Sequence, residues 1–368
     1  MTRRSDKKRL LGTSWSDSWE LVGLVLEVVP LAKACLFPQY VTGLHAWFLE
    51  QVRQFNPDLS AYLHDGQSEK PFTISGLEGQ IVTAGKQIQL LADQTYRWYV
   101  TALSPPVVQW MGHWLEHLPE TIELRHVVLK IGSVDLVSPP TTYGELFKVE
   151  KVGTLALSFI TPTSFRRQGH HFPLPVPKNL FHSYLRRWND FSGKQFDQET
   201  FLDWVDKNVL IARYQLETVK VAAGKKGSVT GFTGAIELTL ASQAQQQPTF
   251  VQLFSALGQF APYCGTGHKT TFGLGQTRLG WLSERDFCAT FPQQELLARR
   301  IEQITQSLMQ AQKRQGGTRA LKACQTKATI LARRELGESL KDIASDLEMP
   351  YETVKTYAKL ARIALRAE

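Results

Sequence analysis

Cysteine is scarce in this sequence. Cys35, Cys264, Cys288 and Cys324 are spread through 368 residues and form no CxxC pair. Neither a disulfide-stapled fold nor a cysteine zinc site is expected. Long apolar runs are missing too. The longest, residues 21–37, is broken by Glu27, Pro30 and Lys33 and falls short of the ~20 residues that cross a bilayer. The basic stretch of residues 1–12 leads into the polar SWSDSWE rather than an apolar core, so no export signal is read. No carboxylate cluster with metal-ligand spacing stands out. The expectation is a soluble cytoplasmic protein with no membrane partner and no cofactor.

Charge of one sign is not abundant either. Lys and Arg number 42 against 34 Asp and Glu, a formal +8 with a pI near 9.2. That mild excess favours an anionic partner without identifying it. Hydrophobic residues make up 43% of the chain, enough for a buried core over two or three domains. The charge is unevenly placed. Residues 293–368 carry 14 Lys and Arg against 9 Asp and Glu, a surplus of five in a fifth of the chain.

The hydrophobic pattern is mixed. Residues 20–29 read as a buried strand, and 43–54 have helical spacing at Leu44, Trp47, Phe48 and Val52. Strands follow at 72–82 and 89–102, a helix at 107–118 and a strand at 121–131. The same order recurs: strand 154–162, helices 179–191 and 200–208, strands 209–221 and 229–240, helix 249–260, strand 272–281. Two β-α-β-β-α-β units predict an α+β protein of tandem ferredoxin-like domains. The predicted parts are a basic extension (1–19), a first domain (20–140), a second domain (141–290), a helix and linker (291–318) and an all-α helix-turn-helix tail (319–368). The split falls near Ser138-Pro139-Pro140.

The most distinctive segment is glycine-rich: residues 264–275, CGTGHKTTFGLG. Closely spaced glycines let backbone N–H groups approach phosphate oxygens, and Lys269 adds a cation. It is neither a dinucleotide fingerprint, which needs Gly where Thr270 stands, nor a P-loop, which needs Gly where His268 stands. The plain alternative is a tight turn that needs positive φ. His113 and His117 fall in an H-x-x-E-H pattern of the zinc-peptidase type, but no third ligand is evident.

The glycine-rich segment resembles the C-terminal loop of the CRISPR-associated repeat-processing endoribonucleases, a branch of the RAMP superfamily. Other segments agree in order: 44–46 (LHA), 61–65 (AYLHD), 70–77 (KPFTISGL), 161–166 (TPTSFR), 174–177 (LPVP), 185–189 (LRRWN) and 231–234 (GFTG). The resemblance spans residues 20–280. It implies a CRISPR repeat RNA as partner and one metal-independent cut within the repeat. The ribose 2′-OH attacks the adjacent phosphate and leaves a 2′,3′-cyclic phosphate and a 5′-OH. The reaction needs a base for the 2′ proton, an acid for the 5′-oxygen and cations for the phosphate charge.

The resemblance points to His45, at the start of the first helix, as the catalytic imidazole. Tyr40 is placed to orient RNA, and Arg53 is the nearest basic residue on that helix. The bland alternative for His45 is a packing role. His170, His171 and His182 are rivals. RNA-binding candidates are Arg166, Arg167, His170, His171, Arg186, Arg187, Lys225, Lys226, Gly265, Gly267, His268, Lys269, Gly273, Gly275 and Arg278. A catalytically inactive RNA-binding subunit is the alternative reading. A CRISPR effector complex is a further partner of such proteins.

The tail resembles the helix-turn-helix of sigma-factor region four. Residues 337–347 and 351–360 read as its two helices, and 348–350 as the turn. Thr353, Lys355, Thr356 and Lys359 would then face a groove or its phosphates, which suggests a DNA partner or a DNA-binding regulator. The alternative is a helical module that docks protein.

Overall fold

The structure is a computed structural model, and it describes residues 9–10, 15–37, 39–64, 69–79, 82–84, 87–92, 94–125, 127–222, 228–282, 292–310 and 317–366. The leucine- and valine-rich run LVGLVLEVVP becomes β1 (Leu21–Pro30). It is followed by α1 (Tyr40–Phe55), β2 (Phe72–Glu78), β3 (Tyr96–Ala102), α2 (Pro105–Glu116), β4 (Thr121–Leu124) and β5 (Val127–Thr141). The sheet order is β5-β1-β3-β2, with antiparallel neighbours. That is the ferredoxin-like order for a β-α-β-β-α-β chain. β1 is central, so apolar side chains on both its faces are covered. Phe48 and Trp114 on the helices pack with Phe72 and Trp98 on the sheet in one core.

Local chemistry explains the element ends. α2 starts at Pro105-Pro106 behind an extended Ser104, where a missing N–H costs nothing. The strand expected at 121–131 is instead a hairpin of β4 with a much longer β5. Pro139 and Pro140 therefore lie inside β5, at a register shift against β1, where a strand tolerates proline. The strand expected at 89–102 divides, because Gln87–Leu90 pairs in a small separate sheet with Ala34–Leu36 and Val82–Ala84. A short helix, Pro57–His64, was not anticipated.

The second unit repeats the topology. Its elements are β6 (Thr154–Thr163), α3 (Pro177–Phe191), α4 (Gln198–Asn208), β7 (Val209–Ala222), β8 (Ser228–Leu240), α5 (Pro248–Cys264) and β9 (Thr277–Leu279). The order β7-β8-β6-β9 is again ferredoxin-like. β9 is far shorter than the expected 272–281, because the glycine-rich residues before it fold against the first domain. The two domains are pinned by tyrosines: Tyr143 Oη donates to the Leu103 carbonyl at 2.7 Å and Tyr263 Oη to the Pro139 carbonyl at 2.6 Å. Arg278 and Glu78 form an ion pair across the same joint at 2.7 Å.

The described residues of the tail form four helices joined by turns: α6 (Pro292–Gln310), α7 (Thr318–Glu335), α8 (Leu340–Leu347) and α9 (Tyr351–Arg366). It is tied to both domains. Leu297, Ile301 and Ile304 share a core with Ala222 of β7, and Lys220 pairs with Glu302 at 2.6 Å. Asp346 of α8 pairs with Arg125, in the β4–β5 hairpin, at 2.8 Å. The fold is α+β: tandem ferredoxin-like domains and an all-α tail.

Candidate active site and RNA interface

α1 carries its apolar residues Leu44, Phe48 and Val52 into the core, which leaves His45 on the flank facing the second domain. There the glycine-rich loop meets it. His45 Nδ1 donates to the Thr271 carbonyl oxygen at 3.0 Å, and the ring stacks on Phe272 with centroids 4.3 Å apart. A carbonyl can only accept, so the proton sits on Nδ1 and Nε2 keeps its lone pair. Burial pushes the imidazole pKa down to about 4, against the Thr271 carbonyl, which favours the charged form; the positive charges of His64 and Lys70 push the same way as burial. At neutral pH the ring is neutral, as a base must be before it takes a proton. The sequence shows His64 and Lys70 only within the family segments 61–65 and 70–77, with no role assigned to them. They stand 19 and 25 positions beyond His45, and only the fold brings their charges to bear on it.

Tyr40 and Arg53 are not beside His45 in the expected roles. Tyr40 is 6% exposed, and its hydroxyl accepts from Leu77 N–H at 2.9 Å, so it joins α1 to β2. Arg53 lies in the last turn of α1, paired with Glu50 at 2.8 Å. Eight residues of helix put it ~12 Å along the axis from His45. It borders a shallow depression with His64 instead.

The glycine-rich loop is a keystone between domains. Gly265, Gly267, Gly273 and Gly275 all have positive φ. At Gly267 a Cβ would lie 2.2 Å from the Ser164 carbonyl oxygen, so only glycine allows that approach. The amides of residues 265–268 and 272–276 all donate within the protein. Gly267 N–H bonds Ser183 Oγ, Gly273 N–H the Ile74 carbonyl and Gly275 N–H the Pro162 carbonyl. These amides are therefore not open to phosphate. The glycines bind the loop to its neighbours.

Cations cluster beside the loop. A tight hairpin, Phe165–Arg167 paired with His170–Phe172, turns at Gln168-Gly169 with both residues at positive φ. Arg166 and His171 are cross-strand partners. His171 stacks on His268 at 5.4 Å. Burial, then the charge of Arg166, pushes His268 down to about 3 and Lys269 down to about 8. Burial and the same arginine lower His171. Among the described residues, His171 Nδ1 and His268 Nε2 are buried without a hydrogen-bond partner. Arg166 and Lys269 bring positive charge to these two ring nitrogens, which makes this a place where an anion is favoured. Arg167 and His170 lie exposed on the hairpin's other face, Arg167 over the Phe172 ring.

The remaining candidates divide. Arg187 is 4% exposed: it donates to the Gly267 carbonyl at 2.7 Å and to Ser183 Oγ at 2.9 Å, and meets Glu69 at 3.4 Å. It holds the loop and has no surface to offer RNA. Arg186 is exposed and pairs with Glu69 at 2.7 Å. Arg278 belongs to the domain joint, at the edge of a cavity of about 360 Å³ between the sheets. His182 lies on α3, with its pKa lowered by burial and by Arg186. Lys225 and Lys226 lie outside the described residues. In the tail, Lys355, Thr356 and Lys359 are exposed and Thr353 is half-buried. His113 and His117 lie against each other with tilted rings, His113 meets Phe55 edge to face, and His117 Nδ1 donates to the His113 carbonyl.

The family models described as CRISPR-associated endoribonuclease Cas6 and as CRISPR Cas6 N-terminal domain match residues 157–277 and 22–108. The chain belongs to the Cas6 family. A Cas6 endoribonuclease of Streptococcus thermophilus is 25% identical over 237 residues, covering 64% of this chain and 89% of that protein. Two solved Cas6 product complexes have the same fold. One, of a Thermus thermophilus protein, has a TM-score of 0.60 at 25% identity, covering 72% of this chain and 100% of the other. The second has a TM-score of 0.56 at 26% identity, covering 71% and 99%. The Cas6 models end at residue 277, before the helical tail.

Proposed function

We propose that this Cas6-family chain cleaves CRISPR precursor RNA within its repeats, without a metal, with His45 as the catalytic imidazole. The observation that carries this reading is the Nδ1–H bond of His45 to Thr271, which leaves Nε2 as the lone pair at a domain joint. Nε2 takes the 2′ proton as the 2′-oxygen bonds to phosphorus. The phosphorus–5′-oxygen bond then breaks; the 5′-oxygen takes a proton from water, and the imidazolium returns its own to solvent. The products are a 2′,3′-cyclic phosphate and a 5′-OH. Phosphate charge brought beside the ring opposes the effect of burial and raises its proton affinity. Lys70 supplies positive charge on the same side, and its charge already acts on His45.

RNA flanking the cut runs over Arg166, His171, His268 and Lys269; burial first, and then the charge of Arg166, lowers the pKa of the last three. Arg167, His170 and Arg186 extend that basic surface. A product held this way is the form an effector complex would take up. Incubation with repeat RNA in excess EDTA, and with RNA carrying one 2′-deoxy at the cut, tests the chemistry. The expected result is cleavage in EDTA and none of the deoxy substrate; cleavage that needs metal, or that survives the deoxy substitution, refutes it. His45→Ala should abolish cleavage while binding remains. If it keeps full rate, the imidazole is another, with His170, His171 and His182 next to test.

A further inference from the structure

The tail ends in two helices joined by a three-residue turn. α8 is eight residues long and capped by Ser339 Oγ, which accepts from Asp342 N–H at 3.1 Å. It stops at Glu348, which is left-handed at φ 52, and α9 begins three residues later at Tyr351. Ile343, Ala344 and Leu347 of α8 pack on Val354 and Ala358 of α9 and on Ile330 of α7. This leaves the outer face of α9 in solvent, with Lys355, Lys359 and Arg362 exposed along it. Their i, i+4, i+7 spacing lines them up on one side.

α8 uses a different set of side chains to dock. Its Asp346 reaches Arg125 of the first domain at 2.8 Å and the buried Arg333 of α7 at 2.6 Å. Arg333 is 1% exposed and also pairs with Glu338. Asp342 and Asp346 of α8 thus face the protein, while the bases of α9 face away; Glu352 of α9 is exposed beside Lys355 at 3.4 Å. A B-form major groove, ~12 Å wide, admits a helix of ~10–12 Å, whereas the A-form groove of duplex RNA is too deep and narrow.

We propose that α9 is a second nucleic-acid site that enters the major groove of duplex DNA, and that it does so while repeat RNA occupies the two ferredoxin-like domains. The site does not depend on the cleavage chemistry. Its docking helix and its reading helix are distinct, so binding needs no release of the tail.

The test uses the full chain and fluorescence anisotropy. The probes are a random-sequence DNA duplex of ~21 bp, about two helical turns, and the same sequence as duplex RNA. Each is titrated at low and at physiological salt, with and without saturating repeat RNA. The expected result is DNA binding that persists with repeat RNA bound. The triple variant Lys355→Ala, Lys359→Ala, Arg362→Ala should weaken it at least ~10-fold and reduce the salt slope by about 3. Repeat cleavage by that variant should be unchanged. Unaltered DNA binding by the variant overturns the proposal. So does displacement of DNA by repeat RNA, duplex RNA bound and lost to the same degree, or no DNA binding by the parent chain at low salt up to ~10⁻⁴ M.

Discussion

Gly267→Ala separates the two physical roles open to the glycine-rich loop. If the glycine serves phosphate approach, alanine costs RNA affinity and little stability. The structure places its N–H on Ser183 Oγ and its α-carbon against the Ser164 carbonyl, so alanine should cost stability. Two parts add. Left-handed φ, here 78, costs an L-residue about 1–2 kcal/mol. The new Cβ would stand 2.2 Å from Ser164 O, an oxygen that also accepts from His268 N–H at 3.1 Å and so is not free to swing away. Such overpacking costs about 1–3 kcal/mol. The sum is about 2–5 kcal/mol. Gly169→Ala is the matched control, because its φ of 84 gives the same strain while nothing lies within 4 Å of its Cβ position. With a urea slope of about 1–3 kcal/mol per molar, the overpacking that only Gly267 suffers should bring its midpoint about 1 M below that of the Gly169 variant. Urea unfolding followed by tryptophan fluorescence reads the difference; Trp188 lies in the same domain core. Equal midpoints for the two variants would refute the packing account, and unchanged stability with lost RNA affinity would restore the phosphate account.

Arg187→Leu should destabilise the second domain by about 3–5 kcal/mol, since it strands the Gly267 carbonyl and removes a buried cation from Glu69; the same urea measurement checks it, and a loss below 1 kcal/mol counts against the clamp. The pH dependence has a defined sign. His45 and His268 have folded-state pKa values lowered to about 4 and about 3, so the folded state resists their protonation. Their neutral forms are fully accommodated above the unfolded pKa of ~6.5, and stability falls as pH drops from there through 4 toward 3. His45→Gln should flatten that acid loss between pH 6.5 and 4 in thermal melts, and an unchanged slope would rule out a buried neutral imidazole. In the active protein, cleavage should be lost on the acid side as His45 is protonated, with the limb of kcat/KM well below the usual histidine range.

Much of the site was legible as a list of residues. The family resemblance points to His45 as a residue that opens the first helix; the helix begins at Tyr40, so His45 lies in its second turn. Gly267 and Arg187 were picked as RNA contacts, and both turn out to support each other inside the protein. A buried arginine and an exposed one look alike in sequence: Arg186 and Arg187 are adjacent, and helical phase alone sends one to solvent and the other inward. Lys70 was visible only as part of a family motif, because nothing local says which imidazole its charge will meet.

The sequence by itself determined the element types and their order, since periodicity and turn chemistry act over a few residues. It therefore carried the two β-α-β-β-α-β units, the helical tail and its surplus of positive charge. Tertiary structure decided which groups face one another. The Thr271 carbonyl that fixes the His45 tautomer lies 226 residues away, and Asp346 reaches Arg125 across 221. Contacts of that span are set by how two sheets and a helical tail pack together, and no local signal encodes them. The same packing turned a loop that reads as a phosphate cradle into the keystone between domains.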